Sequence, residues 1–171
     1  MKTVYLGLGS NMGDSLSLLT KALLEIGKLE GVFNLKSSRF FETSPVSAIP
    51  QKDFLNLVCQ IETSLDAEKL FEKLQAIEEH LGKIPKAKNA PRPLDIDILF
   101  FGKEFHKSET LTIPHKGWKE RLFVLIPLLD LREEITYPLD NSHTETLNLR
   151  EYIKNFKNIH NEYVVPLSFK H

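Results

Sequence analysis

Apolar positions along the chain recur with two periods. Thr3–Leu8 is a short apolar run closed by Gly9-Ser10-Asn11, which predicts a strand. Behind Asp14, the residues Leu16, Leu19, Leu23 and Ile26 repeat every three or four positions. They predict a helix capped by Asp14 and ended by Gly27 or Gly31. Phe33–Glu42 mixes Ser, Arg and Phe, as a partly exposed second strand would. Thr43–Lys52 holds two prolines and no period, and is expected to be a loop. From Phe54 to Glu62 the alternation is clean. Leu55, Leu57, Cys59 and Ile61 share one face, with Phe54, Asn56, Val58, Gln60 and Glu62 on the other. Asp66 then caps a helix running to Leu81, with Ala67, Leu70, Phe71, Leu74 and Ile77 inward and Gly82 as its stop. A loop over Lys83–Pro93 leads to a third clear strand, Leu94–Phe101, ended by Gly102. A short extended piece at Leu111–Pro114, a helix around Phe123–Leu131 and a last helix over Thr146–Lys157 complete the prediction.

Strand, helix, two adjacent strands, helix, strand is the order βαββαβ, which predicts an α+β fold of the ferredoxin-like kind. With 171 residues, 42% of them hydrophobic, the chain suits one domain with its own core. Charge narrows the function classes. The 22 basic and 23 acidic residues nearly cancel, so no general footprint for nucleic acid or an anionic membrane exists. No apolar run approaches the roughly 20 residues that span a bilayer. No charged start, apolar block and cleavage site open the chain, so a cytoplasmic location is expected. Cys59 is the only cysteine, and its place in an alternating strand predicts an inert buried thiol.

Chemistry concentrates in Arg92-Pro93-Leu94-Asp95-Ile96-Asp97-Ile98-Leu99. On a strand, Asp95 and Asp97 project from one face while Leu94, Ile96 and Ile98 take the other. Two adjacent carboxylates need a cation or solvent, so the pair is either a solvated edge or a Mg²⁺ site. Cations gather around it: Arg92 with Lys83, Lys86 and Lys88 before the strand, and His115, Lys116, Lys119 and Arg121 after. Polyphosphate transfer needs charge neutralisation and positioning more than covalent help, and this setting suits it. Gly7-Leu8-Gly9-Ser10-Asn11 lacks the spacing of a dinucleotide fingerprint and reads as a tight turn from strand to helix. Phe54 and Asn56 share a strand face beside Thr43-Ser44-Pro45-Val46, and Phe123 offers a second ring. Together they form a candidate slot for a flat aromatic ligand.

At these residues the chain resembles 6-hydroxymethyl-7,8-dihydropterin pyrophosphokinase, an enzyme family of folate biosynthesis. The blocks that carry the resemblance are Tyr5-Leu6-Gly7-Leu8-Gly9-Ser10-Asn11, Glu42-Thr43-Ser44-Pro45, Phe54-Leu55-Asn56, Pro91–Leu99, Leu111–His115 and Arg121-Leu122-Phe123-Val124. It implies a three-layer α/β/α sandwich and transfer of pyrophosphate from ATP to the pterin hydroxymethyl group, with AMP released. Asp95 and Asp97 would hold two Mg²⁺ ions, and Arg92, His115 and Arg121 would join them as catalytic residues. Thr43, Ser44, Pro45, Val46, Phe54, Asn56 and Phe123 would hold the pterin. Gln75, Glu78, Arg92, Ile98, Thr112, His115 and Arg121 match positions that contact ATP. Residues 1–158 would form the pyrophosphokinase domain and 159–171 an extension or linker, since relatives are often fused to another folate enzyme. The chain departs from the family pattern at Lys83–Pro91, at Thr110 and at Lys116, where arginines, a tryptophan, and proline or an aromatic are common.

Overall fold

The apolar run after Met1 forms strand β1 (Lys2–Ser10), which a computed structural model describing residues 1–46, 50–82 and 93–168 places inside the main sheet. Asp14 caps helix α1 (Ser15–Gly27) by accepting the Ser17 N–H at 3.1 Å. Its side chains Leu19, Ala22 and Ile26 are fully buried. Gly31, with φ at +88°, turns the chain into the next strand, a left-handed conformation that favours glycine.

The single strand expected over Phe33–Glu42 is two strands, β2 (Val32–Ser37) and β3 (Phe41–Thr43). Both lie antiparallel to β4 (Phe54–Thr63). Ser38 interrupts them: its hydroxyl accepts the buried Val58 N–H at 3.0 Å. Arg39 turns outward, its backbone and guanidinium both donating to Asp130. The alternation read on β4 holds, with Leu55, Leu57, Cys59 and Ile61 in one core and Val58 in the other. Helix α2 (Ala67–His80) is capped by Asp66, which accepts the Lys69 N–H at 2.8 Å.

Strand β5 (Asp95–Phe101) pairs with β1, and the pairing contains a bulge. Tyr5 lies opposite Phe100 and Leu6 opposite Ile98, so Leu99 is the extra residue. Leu99 and Phe100 therefore enter the same core, whereas Leu94, Ile96 and Ile98 pack with α1 and α2 on the other side. The extended piece near Leu111 is a small ribbon of β6 (His106–Lys107) and β7 (Thr112–Ile113). A 3₁₀ turn over Trp118–Glu120 precedes α3 (Leu122–Leu131).

The last predicted helix is corrected. Its first residues belong to strand β9 (Thr144–Asn148), which pairs with β8 (Glu134–Pro138), and helix α4 is only Leu149–Lys154. Two features move the boundary. Thr136 and Thr146 join hydroxyls across the ribbon at 2.8 Å, and Asn148 caps the helix by accepting the Glu151 N–H at 3.0 Å. Strand β10 (Val164–Pro166) pairs with β3.

The main sheet runs β10-β3-β4-β1-β5, with β2 also on β4, and all its pairings are antiparallel. One core joins its inner face to α1 and α2. The second joins the opposite face to Trp118, α3 and Leu149 of α4. The fold is thus a mixed α+β one with helices against both sides of the sheet. Among the described residues, no helix is long and apolar enough to cross a membrane.

Candidate active site

The glycines of β1 open the site. Gly7 and Gly9 are not a turn, as their spacing first reads, but lie inside the strand. Gly7 faces Asp97 on β5 and Val58 on β4; Gly9 faces Asp95 and Asn56. A Cβ on Gly9 would sit 2.4 Å from Asn56 Oδ1, so only glycine leaves that amide its place. The signal for this role was available: glycines two apart on a strand share a face.

Around this floor lies a cleft of about 310 Å³. Phe54 and Asn56 come from β4, Thr43 from the end of β3, and Ser44, Val46 and Gln51 from the chain between β3 and β4. Asp95 and Asp97 line it from β5, Arg121 and Phe123 from the start of α3. Asn56 is 7% exposed, and its Nδ2 donates to Thr43 Oγ1 at 2.6 Å, which orients the amide in the wall. The Arg121 guanidinium lies 5.6 Å from the centroid of the Phe123 ring.

A second cleft of about 210 Å³ lies on the far side of Asp97. Gln75 and Glu78 of α2, Ile96 and Ile98 of β5, Thr110, Thr112, His115 and Lys116 line it. Asp97 lines both clefts. Buried Glu78 accepts the Ile96 N–H at 3.2 Å, and the His115 backbone N–H donates to Leu99 O at 2.9 Å. Helix α2 and the 115 turn are thus both fastened to the outer edge of β5.

His115 Nδ1 accepts the Gly117 N–H at 3.3 Å, and its Nε2 is 3.8 Å from Asp97 Oδ2. Burial pushes the imidazole below its ordinary pKa of 6.5; the Asp97 carboxylate opposes that shift and Arg121 adds to it. The ring is therefore neutral near pH 7, with its proton on Nε2, facing Asp97. Asp95 and Asp97 offer hard oxygen ligands on one strand face. Two carboxylates, with the remaining positions left to water and phosphate, fit Mg²⁺.

The expected residues fall into these two groups. Thr43, Ser44, Val46, Phe54, Asn56 and Phe123 share the first cleft with the aspartates, while Pro45 is not among its lining residues. Gln75, Glu78, Ile98, Thr112 and His115 share the second. Arg121, expected among the nucleotide contacts, lines the first. Arg92 and the Lys83–Pro91 departures lie outside the described residues. Gln51 had no periodic signal. Asn11 Nδ2 donates to its Oε1 at 2.7 Å, a contact over 40 positions that the sequence alone does not announce.

Residues 5–133 match the family described as 7,8-dihydro-6-hydroxymethylpterin-pyrophosphokinase (HPPK). The chain is 36% identical over 145 residues to the 2-amino-4-hydroxy-6-hydroxymethyldihydropteridine pyrophosphokinase of Haemophilus influenzae, covering 85% of this chain and 91% of that protein. It is 34% identical over 169 residues to the folic acid synthesis protein fol1 of Pneumocystis carinii, covering 99% of this chain. Only 22% of that longer protein's length is spanned. A solved Plasmodium falciparum HPPK-DHPS structure aligns with a TM-score of 0.66 at 16% identity, covering 90% of this chain and 45% of that one. At that identity the likeness speaks for the fold.

Proposed function

The chain belongs to the 7,8-dihydro-6-hydroxymethylpterin-pyrophosphokinase family, and from that premise we propose that it pyrophosphorylates 6-hydroxymethyl-7,8-dihydropterin with ATP in folate synthesis. The observation that carries this reading is Asp97 standing between two clefts of different chemistry. The first cleft has two phenylalanines and a fixed amide, which suit a flat ring with hydrogen-bonding edges. Phe54 and Phe123 flank the pterin, Asn56 and Thr43 read its polar edge, and Ser44 and Val46 complete the wall. In the second cleft Gln75, Glu78, Ile98, Thr112 and His115 hold ATP, and Arg92 and Arg121 meet its phosphates.

The hydroxymethyl oxygen attacks the β-phosphorus and its proton passes to solvent; the new O–Pβ bond forms as the bond between Pβ and the bridging α-phosphate oxygen breaks, and AMP leaves with that oxygen. Neutral His115 donates its Nε2 proton as a hydrogen bond to a phosphate oxygen, and Arg121 stabilises charge that develops during transfer. Asp95 and Asp97 would hold two Mg²⁺ ions, which when bound would supply charge neutralisation at the phosphates.

The strand order, with β2 and β3 together as the second strand of βαββαβ, supports a ferredoxin-like core. The helices on both faces support a three-layer α/β/α sandwich. Residues 1–158 form the pyrophosphokinase domain and 159–171 an extension or linker whose Val164–Pro166 joins that domain's sheet, in a cytoplasmic protein. The folic acid synthesis protein fol1, of which this chain spans 22%, supports a further folate enzyme as a fusion partner.

Binding tests the division of the site. Asn56→Ala should weaken 6-hydroxymethylpterin at least tenfold, as loss of a buried polar contact predicts, and leave a non-hydrolysable ATP analogue within about twofold. Equal losses for both ligands, or no pterin binding by the unaltered protein, would overturn the assignment.

A further inference from the structure

The chain's last described stretch is built into the wall of the first cleft. Strand β3 has only three residues, and it is held from both sides. Thr43 pairs with Phe54 of β4 and with Val164 of β10. Around that pairing, the Ser44 N–H donates to Tyr163 O at 3.1 Å and the Tyr163 N–H donates to Ser44 Oγ at 2.9 Å. The Leu167 N–H donates to Phe40 O at 2.8 Å. The Tyr163 hydroxyl donates to the Asp53 carboxylate, so one residue touches both ends of the chain between β3 and β4. Those ends supply Ser44, Val46 and Gln51 to the cleft, and Thr43 holds the Asn56 amide.

We propose that Tyr163–Leu167 is a positioning segment for the first cleft, with Tyr163 setting the wall into which the pterin binds; this rests on the reading of that cleft as the pterin site. The chain of contacts is short. Tyr163 fixes Ser44 and Asp53, Val164 fixes Thr43, and Thr43 fixes Asn56. Without β10, the outer edge of β3 would present unpaired backbone groups, and a three-residue strand would keep its place only through β4. A preformed wall raises affinity by removing the cost of ordering it on binding. Burial holds the Glu162 carboxyl of the same segment above its usual range, against the opposing fields of His160 and Arg121.

Two variants of the full chain test this. Tyr163→Phe removes only the hydroxyl contact to Asp53. Val165→Pro deletes a ladder N–H directed at β3, with Val165→Thr as the conservative control. Amide hydrogen exchange at Ser44, Val46 and residues 51–53 is read without ligand. Dissociation constants follow for 6-hydroxymethylpterin and a non-hydrolysable ATP analogue. Both variants should exchange faster at those amides and bind the pterin about three- to tenfold more weakly, the change one net hydrogen bond corresponds to. The ATP analogue should stay within about twofold, and Val165→Thr should behave as the unaltered protein. Unchanged pterin affinity in both variants, with or without faster exchange, overturns the proposal, as does an equal loss for both ligands. Absence of pterin binding by the unaltered protein sinks the functional reading instead, and the exchange data then decide the brace alone.

Discussion

Gly9→Ala is the sharpest perturbation the site offers, because it adds one carbon at a known distance from one buried amide. The new Cβ falls 2.4 Å from Asn56 Oδ1 and 3.8 Å from Phe54 Cδ1. Contacts under about 3 Å do not persist, so the amide must move. It cannot move freely, since Asn56 is buried in β4 and its Nδ2 holds Thr43 Oγ1 at 2.6 Å. Overpacking costs about 1–3 kcal/mol, and an orphaned buried hydrogen-bond pair adds about 1–3 kcal/mol. A chain of this size loses roughly 2–4 °C per kcal/mol, so the melting temperature should fall by roughly 4–24 °C. Gly7→Ala is the internal comparison. Its Cβ meets Leu99 Cδ2 at 3.4 Å, an ordinary contact, and losing a glycine inside a strand offsets about 0.5–1 kcal/mol of chain entropy. Thermal melts of both variants, with pterin titrations, check the argument. Equal melting temperatures for Gly7→Ala and Gly9→Ala, with unchanged pterin affinity, would refute it.

The other expectations concern the metal pair and the thiol. Asp97→Ala should lower turnover at least about a thousandfold and weaken binding of Mg²⁺ with ATP, measured by steady-state kinetics and calorimetry; near-normal rates would remove Asp97 from the reaction. Burial pushes the Cys59 thiol from 9.0 up to about 12, so the native protein should resist a thiol reagent at pH 8 that labels it rapidly in urea. The sign for stability follows from the raised value: the folded state holds the proton more tightly. Its contribution is complete below pH 9.0 and is lost as pH rises towards about 12. A Cys59→Ala protein should lack that alkaline loss in urea titrations, and parallel curves for the two proteins would contradict the cause given.

How far the sequence carried depends on the kind of signal. β1, β4, α2 and β5 were legible because burial imposes period on their residues, and the aspartate pair came with β5. Three features were not. Ser38 splits the expected Phe33–Glu42 strand through a hydroxyl that serves Val58, twenty residues away. The β8–β9 ribbon depends on pairing between two polar segments, so Thr146 reads locally as the start of a helix, and only Glu134–Pro138 opposite it makes it a strand. The two-sided role of Asp97 needed α2 and the 115 turn to be brought to the same strand edge. Local spacing marks a carboxylate as available, but only long-range contacts say what stands on either side of it.

The proposed reaction moves two phosphates together from ATP to the pterin in one transfer. ³¹P NMR product analysis after mixing the protein with ATP, Mg²⁺ and 6-hydroxymethyl-7,8-dihydropterin reads this out. AMP and a pterin diphosphate should appear in equal amounts, with neither formed when the pterin is omitted. ADP with a pterin monophosphate, or no products although both ligands bind, would contradict it.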